Sequence, residues 1–237
     1  MKHLFQLFFL FIGFSGTAQK HFVMDADAEV RTIEGSFTSV KVSNAIHLYL
    51  SKGEDESVAI SATDQKYKDG IKTEIVNGAL NIYYEGPKIW SLRNHKLNVY
   101  LSYKTLQQIT ASSASYIMFV GVTDLPLLNI IASGASNIAG TLNITDLNIK
   151  SSGASDVNIK GTAKNVNVEC SGASDLNAFD LTVENCTIKA SGASDVNITA
   201  TKEISIQASG ASNVFYKGTA EIKEKNSSGA STVSKRD

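Results

Sequence analysis

Three aspartates, Asp156, Asp175 and Asp195, recur 19 and 20 residues apart, and Asn137 and Asn213 stand in the same phase on either side. Stacked in register, side chains at that interval would lie about 5 Å apart in a row. Carboxylates that close could hold Ca²⁺, which takes several oxygen ligands, or could accept hydrogen bonds from sugar hydroxyls. Asp and Asn also belong after a tight turn for a local reason, because their side chains bond nearby backbone N–H groups. Calcium-binding β-helices carry a Gly-rich, Asp-dense nine-residue pattern that is absent here, which favours the turn chemistry.

Directly before each of these positions stands a serine: Ser136, Ser155, Ser174, Ser194 and Ser212. They read as corner hydroxyls satisfying backbone groups, not as nucleophiles, since no base recurs with them. Of the histidines, His21, His47 and His95 show no metal-ligand spacing, and the alternation around His47 puts it on an outward strand face. The segment from Gly86 to His95 holds the only Trp. There Trp90, beside Arg93, could stack on a sugar ring, although packing over the end of a core is the stronger reading. No phosphate-cradling Gly loop, cofactor motif or nucleophile–base pair stands out, so no catalytic residue is assigned.

The elements that place these groups come from a repeat. Ser-Gly-Ala-Ser begins at Ser133, Ser152, Ser171, Ser191, Ser209 and Ser228, with a degenerate Ser-Ser-Ala-Ser at Ser112. The steps are 21, 19, 19, 20, 18 and 19 residues. Self-similarity at this period marks a solenoid whose windings bury their apolar faces only by stacking on one another. Five positions before each start stand Leu128, Leu147, Val166, Cys186 and Ile204; three before stand Ile130, Ile149, Val168, Ile188 and Ile206. Five after stand Ile138, Val157, Leu176, Val196 and Val214. This period-2 alternation, rich in β-branched residues, predicts two short strands per winding on either side of a sharp Gly-Ala corner. Equivalent strands would pair in parallel, and seven windings at about 4.8 Å each would make a rod section about 34 Å long.

The same alignment places Cys170 inward under Ala190 and Cys186 inward at an aliphatic position. Cys186 and Ala190 lie four residues apart along a strand, roughly 13 Å, whereas a bridge needs Cα atoms about 4.4–6.8 Å apart. Two buried free thiols are expected.

Residues 1–18 carry a basic start at Lys2, the apolar run Leu4 to Phe14, and Gly16 and Ala18 where a signal peptidase reads. This is the pattern of a cleaved leader. The run is too short for the roughly 20 residues that span a bilayer. Removing residues 1–18 takes away Lys2 and no acid, leaving 21 Lys plus Arg against 23 Asp plus Glu and a formal charge of −2. A nucleic-acid binder would show a basic face, and an anionic-lipid binder a polybasic segment. The expected destination is therefore the periplasm, the cell surface or the medium, with no membrane span once the leader is removed.

Residues 19–35 read as an extension and 36–237 as one domain, with irregular windings over 36–110 and regular ones over 111–237. Two segments echo the strand, small corner, strand pattern: Val40 to Leu50 around Ser43-Asn44-Ala45, and Glu74 to Tyr84 around Asn77-Gly78-Ala79. They are expected to form longer windings that cap the start of the rod, with Glu85 to His95 as a loop. At the other end, Lys223 and Lys225 fall where earlier windings are apolar, as suits an edge facing water.

The Gly-Ala-Ser-Asp-Val-Asn-Ile type of repeat, behind a leader and an irregular β-rich N-terminal half, resembles the putative auto-transporter adhesin, head GIN domain family. These are exported bacterial proteins, and the likeness covers roughly residues 37–220. It implies a right-handed parallel β-helix similar to pectin-lyase-like proteins, without a recognised catalytic set, and a role in cell adhesion. A non-catalytic adhesive or structural solenoid is thus the first expectation, with a glycan or a cell-surface or extracellular protein as partner. The alternatives are a carbohydrate-active β-helix enzyme, which would need paired carboxylates in a groove, and a glycan- or calcium-binding ladder.

Overall fold

The computed structural model describes residue 25, residues 27–86 and residues 96–237. The expected leader, His21, Trp90, Arg93 and His95 lie outside the described residues. In chain order the elements are β1 (Glu29–Arg31), β2 (Ser39–Val42), β3 (Ile46–Lys52), β4 (Ser57–Ser61), α1 (Gln65–Gly70), β5 (Ile71–Val76), β6 (Ala79–Tyr84) and β7 (Leu97–Tyr103). Then follow β8 (Gln108–Ala111), β9 (Tyr116–Ala132), β10 (Asn137–Ser151), β11 (Asp156–Cys170), β12 (Asp175–Ala190), β13 (Asp195–Ala208), β14 (Asn213–Lys217), β15 (Glu221–Ser227) and β16 (Thr232–Lys235).

From β9 onward the chain is a parallel β-solenoid. Asp156 sits opposite Asn137 below and Asp175 above, and Cys170 sits between Ser151 and Ala190. Each winding is a single extended stretch broken only at the Ser-Gly-Ala-Ser corner. In β11 the buried side chains are Val157, Ile159, Ala163, Val166, Val168 and Cys170. Alternation lapses at Gly161, which stands in an inward place at φ 111°, and at Lys164 and Asn165, two outward residues in a row that mark a bend. A winding therefore has a first face (156–163), a bend, and a second face (166–170). The expected second strand is present, continuous with the first along the chain, and the ladder passes over one residue at the bend: Ile144 pairs with Ala163 and Asp146 with Asn165, while Thr145 and Lys164 are left out of the register.

The corner is the most regular part of the rod. The N–H of Ala154 donates to the Gly134 carbonyl at 2.7 Å, and the same bond recurs one winding up each time, as far as Ala230 to Gly210 at 2.8 Å. Gly172 shows why the corner needs glycine. Its φ is +73°, and a Cβ there would lie 2.7 Å from the carbonyl oxygen of Gly153 in the winding below. Differences in winding length are absorbed mainly on the first face and at the bend, by register shifts between Ala139 and Thr141, Asn158 and Gly161, Ala178 and Thr182, and Val183 and Asn185.

The N-terminal windings differ from a simple stack in chain order. β2 lies between β6 and β8, and β3 between β7 and β9, all in parallel. The rung formed by residues 39–52 is thus clasped between two rungs that come later in the chain. Its Ser43-Asn44-Ala45 corner stacks as expected, with Ser112 N–H donating to the Val42 carbonyl at 3.0 Å. The Asn77-Gly78 segment does something else. It turns β5 into β6 as an antiparallel hairpin, with Asn77 at φ 52° and Gly78 at φ 73°. Positive φ at both central residues suits a tight two-residue turn, the structure that an Asn-Gly pair most often signals. β4 pairs antiparallel with β7, and β1 with β4, so antiparallel strands close this end of the rod. Arg31 fastens β1 to the end of α1, donating to the Ile71 carbonyl at 2.6 Å and the Lys68 carbonyl at 3.1 Å.

One hydrophobic core runs the length of the rod, from Phe37 to Tyr216. The last rung departs from the expected pattern. Ile222 sits opposite Ile204 and Glu224 opposite Ser205, so Lys223 is an extra residue, while Lys225 does take the inward column opposite Ile206. All of β15 is exposed.

Candidate binding faces

The first face carries the aspartate ladder. Asn137, Asp156, Asp175, Asp195, Asn213 and Thr232 are aligned residue for residue across six windings. Asn213 donates its amide to Asp195 at 2.8 Å. Burial, and then the neighbouring charges of Asp195 and Asp156, push the Asp175 carboxyl above the usual carboxylate range. Among the described residues no group of three His, Cys, Asp or Glu side chains is arranged to hold a metal ion. The ladder is real as a row of aligned side chains.

The corner serines are buried and occupied. Ser174 has its hydroxyl 2.9 Å from the Ser171 carbonyl and 3.3 Å from the Ser151 carbonyl one winding down. Ser212 repeats this with Ser209 at 2.9 Å and Ala190 at 3.3 Å. These hydroxyls hold the corner shut. Cys170 and Cys186 are buried free thiols, and burial pushes both up to about 12.

At the N-terminal end of the same face, the Tyr49 and Tyr100 rings stack at 5.2 Å, and His47 meets Tyr116 at 5.5 Å. His47 lies on the outward face as expected, and burial, followed by the charge of Lys96, lowers its pKa. Asp25 accepts hydrogen bonds from Ser61 and Asn98 and is thereby held below its ordinary value. Burial, then Asp25, pushes the Tyr100 hydroxyl up to about 12.

Two further features went unread in the sequence. One is a set of asparagine ladders that run along the rod. On the second face Asn167 donates to Asn148 at 3.0 Å, and Asn148 to Asn129 at 2.9 Å. At the bend Asn185 donates to Asn165 at 3.0 Å, and Asn165 to Asp146 at 2.8 Å. Every donor points to the winding below. The signal was available, because these residues recur at the same 19- and 20-residue steps as the aspartates.

The other is an irregularity in β12. Between Asn177 and Thr182 the chain bulges, placing Phe179 and Asp180 consecutively outward while Ala178 and Leu181 stay buried. Phe179 lies half-buried in the first face, with the Lys217 ammonium 5.1 Å from its ring centre. Asp180 pairs with Lys160 at 2.9 Å.

Residues 36–220 match the family described as "Putative auto-transporter adhesin, head GIN domain". The chain belongs to that family. No match was found among curated proteins. Among solved structures, a putative adhesin from Bacteroides fragilis superposes with a TM-score of 0.78 at 19% identity, over 90% of this chain and 98% of that one. A putative adhesin from Parabacteroides merdae gives 0.66 at 19% identity, over 90% and 97%. A putative lipid binding protein from Parabacteroides distasonis gives 0.67 at 16% identity, over 90% and 98%. At these identities the likeness is one of fold. It places this head GIN domain among β-solenoids whose whole length it shares. Among the described residues of the domain, no helix is long and apolar enough to cross a membrane.

Proposed function

We propose that this chain is an exported, non-catalytic adhesion rod that works in the periplasm or at the cell surface, through its flat outer faces. One observation carries the reading. The outward polar side chains form rungs, Asn129–Asn148–Asn167 and Asp146–Asn165–Asn185, hydrogen-bonded along the axis at 2.8–3.0 Å. Such rungs offer a repeated pattern of amides and carboxylates to an extended partner. Catalysis calls instead for an acid, a base or a nucleophile converging on one point. Membership of the adhesin family supports the same reading, as does the leader pattern over residues 1–18.

In this reading Asp156, Asp175 and Asp195 act as hydrogen-bond acceptors on the partner-facing side. Screening residues 19–237 against immobilised glycans and matrix proteins tests it. Binding without release of reducing ends or unsaturated products is the expected result. Turnover of any polysaccharide in the screen would replace the adhesive reading with an enzymatic one.

A further inference from the structure

The bulge in β12 breaks a rod that is otherwise built on repetition, and it breaks it on an outer face. The equivalent stretch reads Asp-Val-Asn-Ile-Lys-Gly at 156–161 and Asp-Val-Asn-Ile-Thr-Ala at 195–200, whereas 175–181 reads Asp-Leu-Asn-Ala-Phe-Asp-Leu. The extra length is not needed to fill the core, because Ala178 and Leu181 already occupy the inward places. It sets an aromatic ring and a carboxylate on the surface. Bulges re-aim side chains in this way, often beside functional sites.

The bulge borders a concavity of about 350 Å³ lined by Asn158, Lys160, Asn177, Phe179 and Asp180, together with the backbone at Ile159. That lies at the small end of the range for ligand sites. The amides here differ from those elsewhere on the rod. In the other ladders each amide donates to the winding below, as Asn148, Asn165, Asn167 and Asn185 do. Among the described residues, by contrast, Asn158 makes no side-chain hydrogen bond. Asn177 uses only its Oδ1, accepting from Asn197 at 3.4 Å, and its two N–H donors are left open. Thr199 ties the Phe179 carbonyl at 2.8 Å, so the bulge is held in place. An open pair of amides, an aromatic ring and a carboxylate within one shallow concavity match the chemistry of a pyranose. Its C–H groups pack on an aromatic surface, and its hydroxyls both give and accept hydrogen bonds.

We propose that the concavity around Phe179 is a saccharide subsite. Phe179 packs against the sugar ring, Asn158 and Asn177 donate to hydroxyl oxygens, and Asp180 accepts from a hydroxyl. Lys160 holds Asp180 in position through their ion pair at 2.9 Å. The inference rests on the adhesion reading and narrows it, naming the partner as a glycan and the contact as one sugar unit.

The experiment titrates residues 19–237 with neutral gluco-, galacto-, manno- and N-acetylhexosamine oligosaccharides, by ligand-observed NMR and calorimetry. The wild type, Phe179→Ala, Asn177→Ala and, on the second face, Glu169→Ala are compared. Circular dichroism establishes that each variant is folded. Asn177 is exposed, so Asn177→Ala keeps the comparison informative should Phe179→Ala fail to fold. The expected result is saccharide binding by the wild type and by Glu169→Ala. Phe179→Ala and Asn177→Ala should each weaken it by about tenfold or more, the scale of one lost contact or hydrogen bond. Binding that survives both substitutions overturns the subsite and leaves the adhesion reading standing. A wild type that ignores every oligosaccharide but captures a matrix protein also overturns the subsite alone. If it captures neither, the adhesion reading falls too.

Discussion

Gly172→Ala tests the stacked corner directly, and Gly78→Ala provides its control. Both glycines have φ +73°, so both substitutions force alanine into the left-handed region. That conformation costs about 1–2 kcal/mol for a residue with a Cβ. At Gly78, on the tip of the β5–β6 hairpin, a Cβ would meet nothing within 4 Å, and this conformational cost is the whole effect. At Gly172 the new Cβ would lie 2.7 Å from the Gly153 oxygen, 3.0 Å from its nitrogen and 3.3 Å from its Cα. All three are backbone atoms of the winding below, which cannot swing aside as a side chain would. The windings must part, and the 2.7 Å bond from Ala173 N–H to the Gly153 carbonyl stretches or breaks. Losing that bond adds about 0.5–1.5 kcal/mol, for a total of about 1.5–3.5 kcal/mol. In a domain of this size each kcal/mol moves the melting temperature by about 2–4 °C. Thermal melts followed by far-UV circular dichroism should therefore show Gly172→Ala falling by about 3–14 °C and Gly78→Ala by about 2–8 °C, with Gly172→Ala the lower of the two. Equal losses for the two variants would refute the claim that contact between windings, as distinct from backbone conformation alone, requires glycine in the corner.

Three further predictions follow the same logic. Asp175→Asn should leave the melting temperature at pH 7 unchanged or slightly higher. The carboxylate it removes is disfavoured by burial and by Asp195 and Asp156, so its folded pKa is raised. A raised carboxyl pKa means that stability is lost as pH climbs from the unfolded value, about 3.9, through the folded one, so the variant's advantage should vanish below about pH 4. A large calcium-dependent loss would instead mark the ladder as a cation site. Cys170 and Cys186 should be silent to a thiol reagent at pH 8 in the native state, because burial pushes both up to about 12. Both should react in denaturant without reductant, and a count of zero there would reveal a disulfide. Asn148→Ala removes a donor to Asn129 at 2.9 Å and an acceptor for Asn167 at 3.0 Å. In this partly solvated ladder the expected cost is about 1 kcal/mol, read as a melt lowered by a few degrees.

The windings from Ser133 onward were legible because their constraints are local and repeated. From Ser133 onward the corner that stacks backbone on backbone carries Gly at its positive-φ position every time, where the first two corners have Asn44 and Ser113, so Ser-Gly-Ala-Ser announces each winding. The inward columns, including both cysteines, follow by counting outward from the corner. The N-terminal third was harder for a physical reason. Which rung lies between which is decided by pairings such as Lys41 with Thr110 and His47 with Tyr116, some 70 residues apart, and no local pattern records them. Asn77-Gly78 looked like a winding corner because both structures want small residues at positive φ; only the antiparallel partner, Ile71–Val76, tells a hairpin from a coil. The site around Phe179 was hidden by attention to the repeat itself. What marks it is a departure from regularity, a single extra residue that two inward neighbours and an open pair of amides later explain.

The clasped rung of residues 39–52 also dictates an order of events. A chain made from its amino end releases that segment long before either of its neighbours exists. Strands of such high sequence separation are slow to find one another. Val40 and Val42 meet their first partners only with Leu80 and Ile82, Leu48 and Leu50 only with Val99 and Leu101, and the second side of the rung stays open until Phe119 has emerged. Beyond that point each new turn adds to a finished template, so the whole assembly waits on its beginning and is quick at its end.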